Sequence, residues 1–200
     1  MVKYIVIVFL ALITFSCAKD VKQQQLQNGT YRAVLMAQDA EELPFIFEVT
    51  SANTLKIYNA DEVIDVDEIT YRNDSVFIKT PVFEGFIAAT FKGDNLSGHF
   101  IKAGLDRVVP FLAEFENSNR FEVKDKAIKD ITGTWETVFS KGVEGDEYSA
   151  KGIFKQEGTK VTGTFTTTTG DYRYLEGVMD GDQLKLSTFD GAHAFLFTAK

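Results

Sequence analysis

Asp190 and His193 are the two residues whose types and spacing most nearly fit a catalytic pair. They lie in the segment Phe189-Asp-Gly-Ala-His-Ala-Phe-Leu-Phe197. A carboxylate three residues from an imidazole can orient it as a general base, provided that hydrogen bonds reach both partners. Neither residue is accompanied by the signature of a Ser, Thr or Cys nucleophile. The sequence therefore favours a structural histidine bonded to a turn carboxylate, and we predict a loop site here without any catalytic residue. A hydrolase using Asp190 and His193 is the competing hypothesis.

His99, in Leu96-Ser-Gly-His-Phe100, is the other of the chain's two histidines and receives the same structural interpretation. The acidic strand 61–68 lacks the spacing of a calcium loop, and its alternating pattern indicates a solvated strand face. The sequence contains neither a glycine-rich phosphate loop nor the serine elbow of acyl-transfer enzymes. It therefore predicts no metal and no cofactor.

Composition excludes several classes of protein. The 200 residues carry 21 basic and 29 acidic side chains, and the formal net charge of −8 disfavours binding to nucleic acid phosphates. The 44% hydrophobic content is that of a globular chain. The single cysteine, Cys17, excludes a dithiol couple within this chain, because thiol exchange needs a second sulfur to resolve the mixed disulfide.

The first sixteen residues have the layout of a secretory signal peptide. Lys3 precedes an apolar run from Tyr4 to Ile13, and Ser16 then stands directly before Cys17. Ten apolar residues in a helix rise about 15 Å, half of a bilayer core, so a permanent transmembrane helix is the weaker interpretation. We expect residues 1–16 to be removed.

The residues around Cys17 resemble the lipobox of bacterial lipoproteins, although Thr14 stands where that motif usually has Leu. The resemblance implies that Cys17 carries lipid and anchors the protein in a membrane of the bacterial cell envelope, on the extracytoplasmic side. Residues 17–28 would then form the lipidated cysteine and a polar tether. The alternative is an ordinary cleaved signal followed by an incidental thiol.

Short apolar runs interrupted by turn pairs predict antiparallel hairpins in the rest of the chain. Leu43, Phe45, Phe47 and Val49 would share one strand face, because strand side chains repeat every two residues. The predicted strands are 30–36, 43–49, 54–58, 63–71, 75–80, 84–92, 95–101, 107–115, 132–140, 148–156, 159–167, 170–180, 183–189 and 193–199. A short helix is plausible only within 120–130. The fold class is therefore all-β.

The strands divide into two consecutive antiparallel meander units, barrel-like or sandwich-like. The first unit covers 29–115, a charged linker covers 116–131, and the second unit covers 132–200. Gly29-Thr-Tyr31 and Gly133-Thr-Trp135 open the two units alike, which suggests a duplication. By that comparison the second unit is incomplete and the chain a fragment. The alternative is a six-stranded sheet that is complete as written.

The 18 Phe, 7 Tyr and one Trp can fill the interior of a small barrel or line a cavity. The opening Gly133-Thr-Trp135 resembles that of calycins, the lipocalin-like barrels that hold apolar ligands. A calycin-like lipoprotein binding a small apolar ligand is therefore the alternative function.

A longer resemblance covers Gly29 to Lys200. The segments Gly170-Asp-Tyr-Arg-Tyr-Leu-Glu-Gly177 and Ser187–Phe197 resemble the N-terminal β region of TlpA-like thiol–disulfide oxidoreductase lipoproteins of Bacteroidetes type. In that family a thioredoxin-fold domain with a C-x-x-C pair follows and performs the redox chemistry. The resemblance implies a non-catalytic, tethered β region that holds such a C-terminal domain near envelope client proteins. No catalytic residue is carried over, because the matching positions are absent from these 200 residues.

Overall fold

The structure, a computed structural model, describes residues 23–37, 40–81 and 85–200. Its strands form two antiparallel sheets, sheet A from β1–β9 and sheet B from β10–β15. The strands are β1 (Gly29–Met36), β2 (Glu42–Ser51), β3 (Thr54–Asn59), β4 (Glu62–Val66), β5 (Glu68–Arg72), β6 (Ser75–Lys79), β7 (Gly85–Lys92), β8 (Asn95–Lys102), β9 (Arg107–Phe115), β10 (Gly133–Phe139), β11 (Tyr148–Glu157), β12 (Lys160–Thr166), β13 (Leu175–Asp180), β14 (Gln183–Phe189) and β15 (Ala194–Ala199). The all-β prediction is confirmed. Cys17 and the predicted signal peptide lie outside the described residues.

Sheet A curls into a nearly closed barrel, called barrel A below. Its strand order is β4-β3-β2-β1-β9-β8-β7-β6-β5, so that β1 pairs with both β2 and β9. Each remaining pair joins strands consecutive in the chain, which is the meander that the turn pairs predicted. Only β4 and β5 lie at the two edges, and Asp67 alone connects them along the chain.

The predicted strand 63–71 is two strands rather than one. Val66 and Ile69 both point into barrel A, while Asp67 and Glu68 between them are exposed. Two consecutive outward residues break the alternation of the strand, as a β-bulge does, and bend the chain. This bend carries the chain from one edge of sheet A to the other and so nearly closes the barrel.

Aromatic side chains fill the interior of barrel A. The predicted inward face of β2 is confirmed, since Leu43, Phe45, Phe47 and Val49 are all buried. The Tyr31 ring stacks on Phe47 with a centroid distance of 4.8 Å. The inward side chains therefore contact one another and fill the interior, as in other small barrels.

Residues Gln23–Asn28 cover one end of barrel A, which we call the tail end. The turns there are Asn73-Asp74, between β5 and β6, and Gly93-Asp94, between β7 and β8. Leu26 is buried in the barrel core, and the Gln24 side chain donates to the Gly93 carbonyl at 2.9 Å. The second half of the predicted tether is therefore packed against the barrel instead of extending from it.

Sheet B is a curled half-barrel in which β10 to β15 pair in chain order. Predicted strand 170–180 begins only at Leu175, and Asp171 makes a single bridge to Thr166. Arg173 adopts a left-handed backbone (φ 60°), which no regular strand accommodates. Residues 120–130 contain no helix. The Arg120 carbonyl accepts a hydrogen bond from Arg32 of barrel A, and the Asp125 N–H donates to Asp180 of sheet B.

Strand β14 is covered on both faces, which joins the two sheets. Leu184 and Leu186 belong to the core of sheet B. The alternate residues Ser187 and Phe189 face barrel A. Covering both faces of a strand leaves no solvated side and ties the two sheets together.

Candidate functional site

Phe189 inserts into the end of barrel A opposite the tail end, which we call the joint end. Its side chain is 0% exposed and belongs to the barrel core. The ring lies 4.4 Å from the Phe45 centroid and packs edge-on against Phe100 at 5.2 Å. The terminal residue of a sheet B strand thus fills the interior of barrel A.

Asn59, the last residue of β3, holds the backbone of Phe189. The Asn59 amide donates to the Phe189 carbonyl at 2.9 Å, and its oxygen accepts the Phe189 N–H at 3.2 Å. Asn59 is itself fully buried, so this pairing satisfies polar groups that water cannot reach. The two sheets are therefore matched by specific hydrogen bonds as well as by apolar contact.

Gly191 allows the loop between β14 and β15 to approach barrel A closely. Its φ is 89°, and a Cβ there would lie 2.6 Å from Cβ of Thr80. The Thr80 hydroxyl donates to the Gly85 carbonyl at 2.7 Å and lies 3.3 Å from the Gly191 carbonyl oxygen. Only glycine combines this left-handed backbone with the absence of a side chain.

Asp190 and His193, the predicted loop site, come together in the structure. His193 Nδ1 lies 3.0 Å from Asp190 Oδ2, and Asp190 Oδ1 accepts the N–H groups of Ala192 and His193 at 2.8 and 2.6 Å. Arg173 Nε approaches Asp190 Oδ2 at 3.2 Å. The carboxylate is 4% exposed, whereas the imidazole is 46% exposed.

Electrostatics keeps Asp190 ionised. Burial tends to raise the pKa of its carboxyl, but hydrogen bonds from His193 and Ala192 hold that pKa below its usual value. These contacts also fold the loop and hold Arg173, which is the arrangement of a turn carboxylate. Orientation of the imidazole through Nδ1 is chemically possible, while the other contacts of Asp190 are with the loop backbone and with Arg173.

Arg120 is a buried cation at the joint end that sequence reasoning missed. It lies in the predicted linker and is 5% exposed. Its guanidinium donates to the Ser187 carbonyl at 3.2 Å and also to the Tyr58 carbonyl. Its Nε lies 3.9 Å from a Glu176 oxygen, an ion-pair distance without a hydrogen bond. Burial lowers the pKa of Arg120 to about 10, and Glu176 opposes that shift.

Two carboxylates extend this network between the sheets. Glu176 of β13 accepts the Ala60 N–H at 3.0 Å, and Glu62 of β4 pairs with Arg173. Asn59 also reaches Glu62 at 3.3 Å. We call the set formed by Asn59, Glu62, Arg120, Arg173, Glu176, Ser187, Phe189, Asp190 and His193 the joint. Apart from the Asp190–His193 pair, the charged residues of the joint come from separate elements, so spacing offered no signal that could have grouped them.

A second feature is the aromatic face of sheet B, formed by Phe139, Tyr148, Phe154, Phe165, Tyr172, Phe195 and Phe197. The Phe139 ring of edge strand β10 lies 5.4 Å from Phe197 of edge strand β15. Burial and the hydrogen bond to Tyr172 raise the pKa of the Tyr148 hydroxyl to about 12. Near this face, Trp135 is 48% exposed and donates to the Ile131 carbonyl at 2.7 Å.

His99 lies apart from both features, on the outer surface of β8. Its exposed side chain borders a shallow surface groove of about 590 Å³ together with Phe77, Pro110 and Leu112. Within residues 23–37, 40–81 and 85–200, no three His, Cys, Asp or Glu side chains cluster as metal ligands would. The same residues include no helix long and apolar enough to cross a bilayer.

The fold and the joint define an all-β protein in which a nearly closed barrel and an open half-barrel share one buried contact. No protein-family model, no curated protein and no solved structure matches this chain. The likeness to TlpA-like lipoproteins therefore stays a hypothesis drawn from the sequence.

Proposed function

We propose that this chain is the non-catalytic, membrane-tethered extracytoplasmic β region of a TlpA-like thiol–disulfide oxidoreductase lipoprotein. Its role is to hold and orient a thioredoxin-like domain near the envelope. The joint is the observation that carries the proposal: Phe189 and Arg120 tie the two sheets into one body. A holder must transmit a fixed orientation, and a buried joint between sheets does this.

The interior of barrel A is filled by side chains. This favours the role of a holder for sheet A over that of a ligand carrier. Leu26 packs into the core from the tail end and Phe189 from the joint end. The Tyr31 hydroxyl accepts the Gln27 N–H at 3.1 Å, and burial raises the pKa of that phenol to about 12. Pocket-bearing barrels keep open, concave interiors for their ligands, whereas these inward side chains contact each other.

The requirements of thiol chemistry support the assignment of the redox reaction to a separate domain. Disulfide exchange proceeds through a mixed disulfide that a second thiol resolves, and this chain has one cysteine. A lowered-pKa thiolate in a thioredoxin-like partner domain would attack the substrate disulfide and release one thiol. The β region would contribute the anchor at Cys17, the spacer and a docking surface.

Membrane fractionation tests the anchor. The full-length protein expressed in a bacterial host should sediment with membranes and partition into detergent, because acyl chains contribute about 0.8 kcal/mol per buried methylene. The Cys17→Ser variant should be soluble, while Ser16→Ala, which keeps the thiol, should behave like the parent. Equal partitioning of Cys17→Ser and parent would refute lipid attachment at Cys17.

The DNA sequence that follows the Lys200 codon tests whether a redox domain is joined to this chain. An open frame that continues beyond the Lys200 codon and encodes C-x-x-C within about 100–200 residues would support a thioredoxin-like domain of ordinary size. A stop codon there, together with no redox protein recovered by disulfide trapping, would refute it. Disulfide reductase activity of the purified 200-residue chain itself would contradict the non-catalytic assignment.

The aromatic face of sheet B favours a second candidate, binding of a small apolar ligand. Phe139, Tyr172 and Phe197 remain partly exposed although their rings cluster. Native mass spectrometry of the purified protein would reveal a stoichiometric co-purifying molecule. Phe139→Ala should remove it, whereas Phe77→Ala, on the outer surface of barrel A, should retain it. A protein that carries no bound molecule would exclude this candidate.

A further inference from the structure

Residues Gln23–Asn28 determine the end of barrel A to which an anchor at Cys17 would be connected. Gln23 donates to the Asn73 carbonyl, and the Gln27 side chain reaches Asp94 at 3.3 Å. Leu26 is 5% exposed within the barrel core. The chain therefore leaves barrel A at the tail end, beside the turns Asn73-Asp74 and Gly93-Asp94.

The joint lies at the opposite end of the same barrel. Strand β7 runs eight residues from Gly85, whose carbonyl accepts the Thr80 hydroxyl beside the joint, to Lys92 next to the tail-end turn. At about 3.3 Å per residue and a tilt of about 40°, such a strand spans about 20 Å along the barrel axis. The joint is thus separated from the exit point by the height of the barrel.

The chain between the anchor and the barrel is short. Cys17 precedes Gln23 by six residues (23 − 17), which reach at most about 20 Å even when fully extended. This reach is comparable with the height of barrel A. A lipid at Cys17 consequently keeps the tail end near the membrane and leaves the joint end outward unless the barrel lies on its side.

The surface of the tail end is polar and acidic, so it can lie beside a lipid headgroup layer but does not insert into the bilayer. Asn53, Asn73, Asp74 and Asp94 are exposed there. Carboxylates are repelled by anionic headgroups, and polar side chains gain nothing from the hydrocarbon core. Leu105, which is 57% exposed, lies instead between β8 and β9 at the joint end.

We infer that the tail end of barrel A faces the lipid surface and that barrel A acts as a spacer holding the joint away from it. This orientation rests on the proposed lipid anchor at Cys17. It places the turns Asn73-Asp74 and Gly93-Asp94 beside the headgroup layer, where the short chain to Cys17 holds them and no attraction to the lipid is needed. The joint, with the loop Asp190–His193, is left facing away from the membrane and accessible to a partner domain.

Site-directed fluorescence in native membranes tests the orientation. Asp74→Cys at the tail end and Leu105→Cys at the joint end are introduced separately into the full-length protein and labelled with the same maleimide dye. An acylated Cys17 has no free thiol, so each variant takes one label, and the parent takes none. Lipids with a nitroxide on the headgroup should quench the dye at position 74 several-fold more than the dye at position 105.

The outcomes distinguish a failure of the proposed orientation from a failure of the proposed anchor. Stronger quenching at position 74 with an unlabelled parent supports the orientation. Equal or reversed quenching with an unlabelled parent overturns the orientation and leaves the anchor intact. A parent that labels at Cys17 and is found in the soluble fraction overturns the anchor and the orientation together.

Discussion

Removal of the Phe189 ring tests whether the joint holds the two sheets together. Phe189 is fully buried and contacts Phe45 and Phe100 at 4.4 and 5.2 Å. Burying a phenylalanine side chain contributes about 1.5–3 kcal/mol, and the unfilled cavity adds to the loss. Two lost aromatic pairs bring the expected cost of Phe189→Ala to about 3–5 kcal/mol.

Equilibrium urea denaturation measures this loss with two probes. The sole tryptophan, Trp135, reports sheet B through its fluorescence, and far-UV circular dichroism reports both sheets. The transitions should coincide in the parent and separate in Phe189→Ala, with sheet B unfolding first, because its buried apolar core is the smaller of the two.

Phe77→Ala is the matched control, since Phe77 lies on the outer surface of barrel A, away from the joint, and is only partly buried. We expect it to cost about 1 kcal/mol and to leave the two transitions coincident. If Phe189→Ala loses no more stability than Phe77→Ala, the Phe189 ring does not stabilise the contact between the sheets. If its transitions still coincide, the Phe189 ring is not what couples the sheets.

Three further substitutions, measured by chemical denaturation, test two polar residues of the joint and the close approach of Gly191 to barrel A. Arg120→Met should cost about 1–3 kcal/mol, because it leaves the buried Ser187 carbonyl without its donor. Asp190→Asn should flatten the acid limb of the stability curve: the folded-state pKa of Asp190 is lowered, so its contribution is present above the unfolded pKa of about 3.9 and is lost as pH falls through the folded value. Gly191→Ala should cost more than about 1 kcal/mol, since its Cβ would lie 2.6 Å from Cβ of Thr80.

Each of these substitutions has a control elsewhere in the chain. Lys126→Met and Asp146→Asn change exposed residues outside the joint and should leave stability and its pH dependence unchanged. Gly142→Ala tests backbone strain alone, because Gly142 has φ 82° with nothing within 4 Å of a Cβ. A Gly191→Ala loss equal to that of Gly142→Ala would mean that close approach to Thr80 contributes nothing.

Local pattern was sufficient for nearly all of the strands. Alternation along Leu43–Val49 predicted the inward face of β2, and the turn pairs predicted the succession of hairpins. The break between β4 and β5 was also readable, since apolar residues fall at Ile64 and Val66 and then at Ile69 and Tyr71. This one-residue shift of the inward face is the local signature of a bulge.

The site was less predictable. The Asp190–His193 contact follows from a spacing of three residues and was foreseen, whereas the partners of the loop come from remote positions. Asn59 reaches Phe189 across 130 residues, and Arg120 reaches Ser187 across 67. An isolated arginine in a charged segment is indistinguishable by composition from a solvated one, so burial at the joint had no sequence signal.

The sequence by itself determined the all-β class, the hairpin order and the face that most strands bury, because these depend on a period of two and on turn residues. Only the tertiary structure decided that β9 returns to β1, that Gln23–Asn28 covers the tail end, and that Phe189 enters the core of barrel A. A strand's pattern states that a side chain must be buried. Which core receives it depends on packing between residues far apart in the chain, and that is settled only when both sheets are formed.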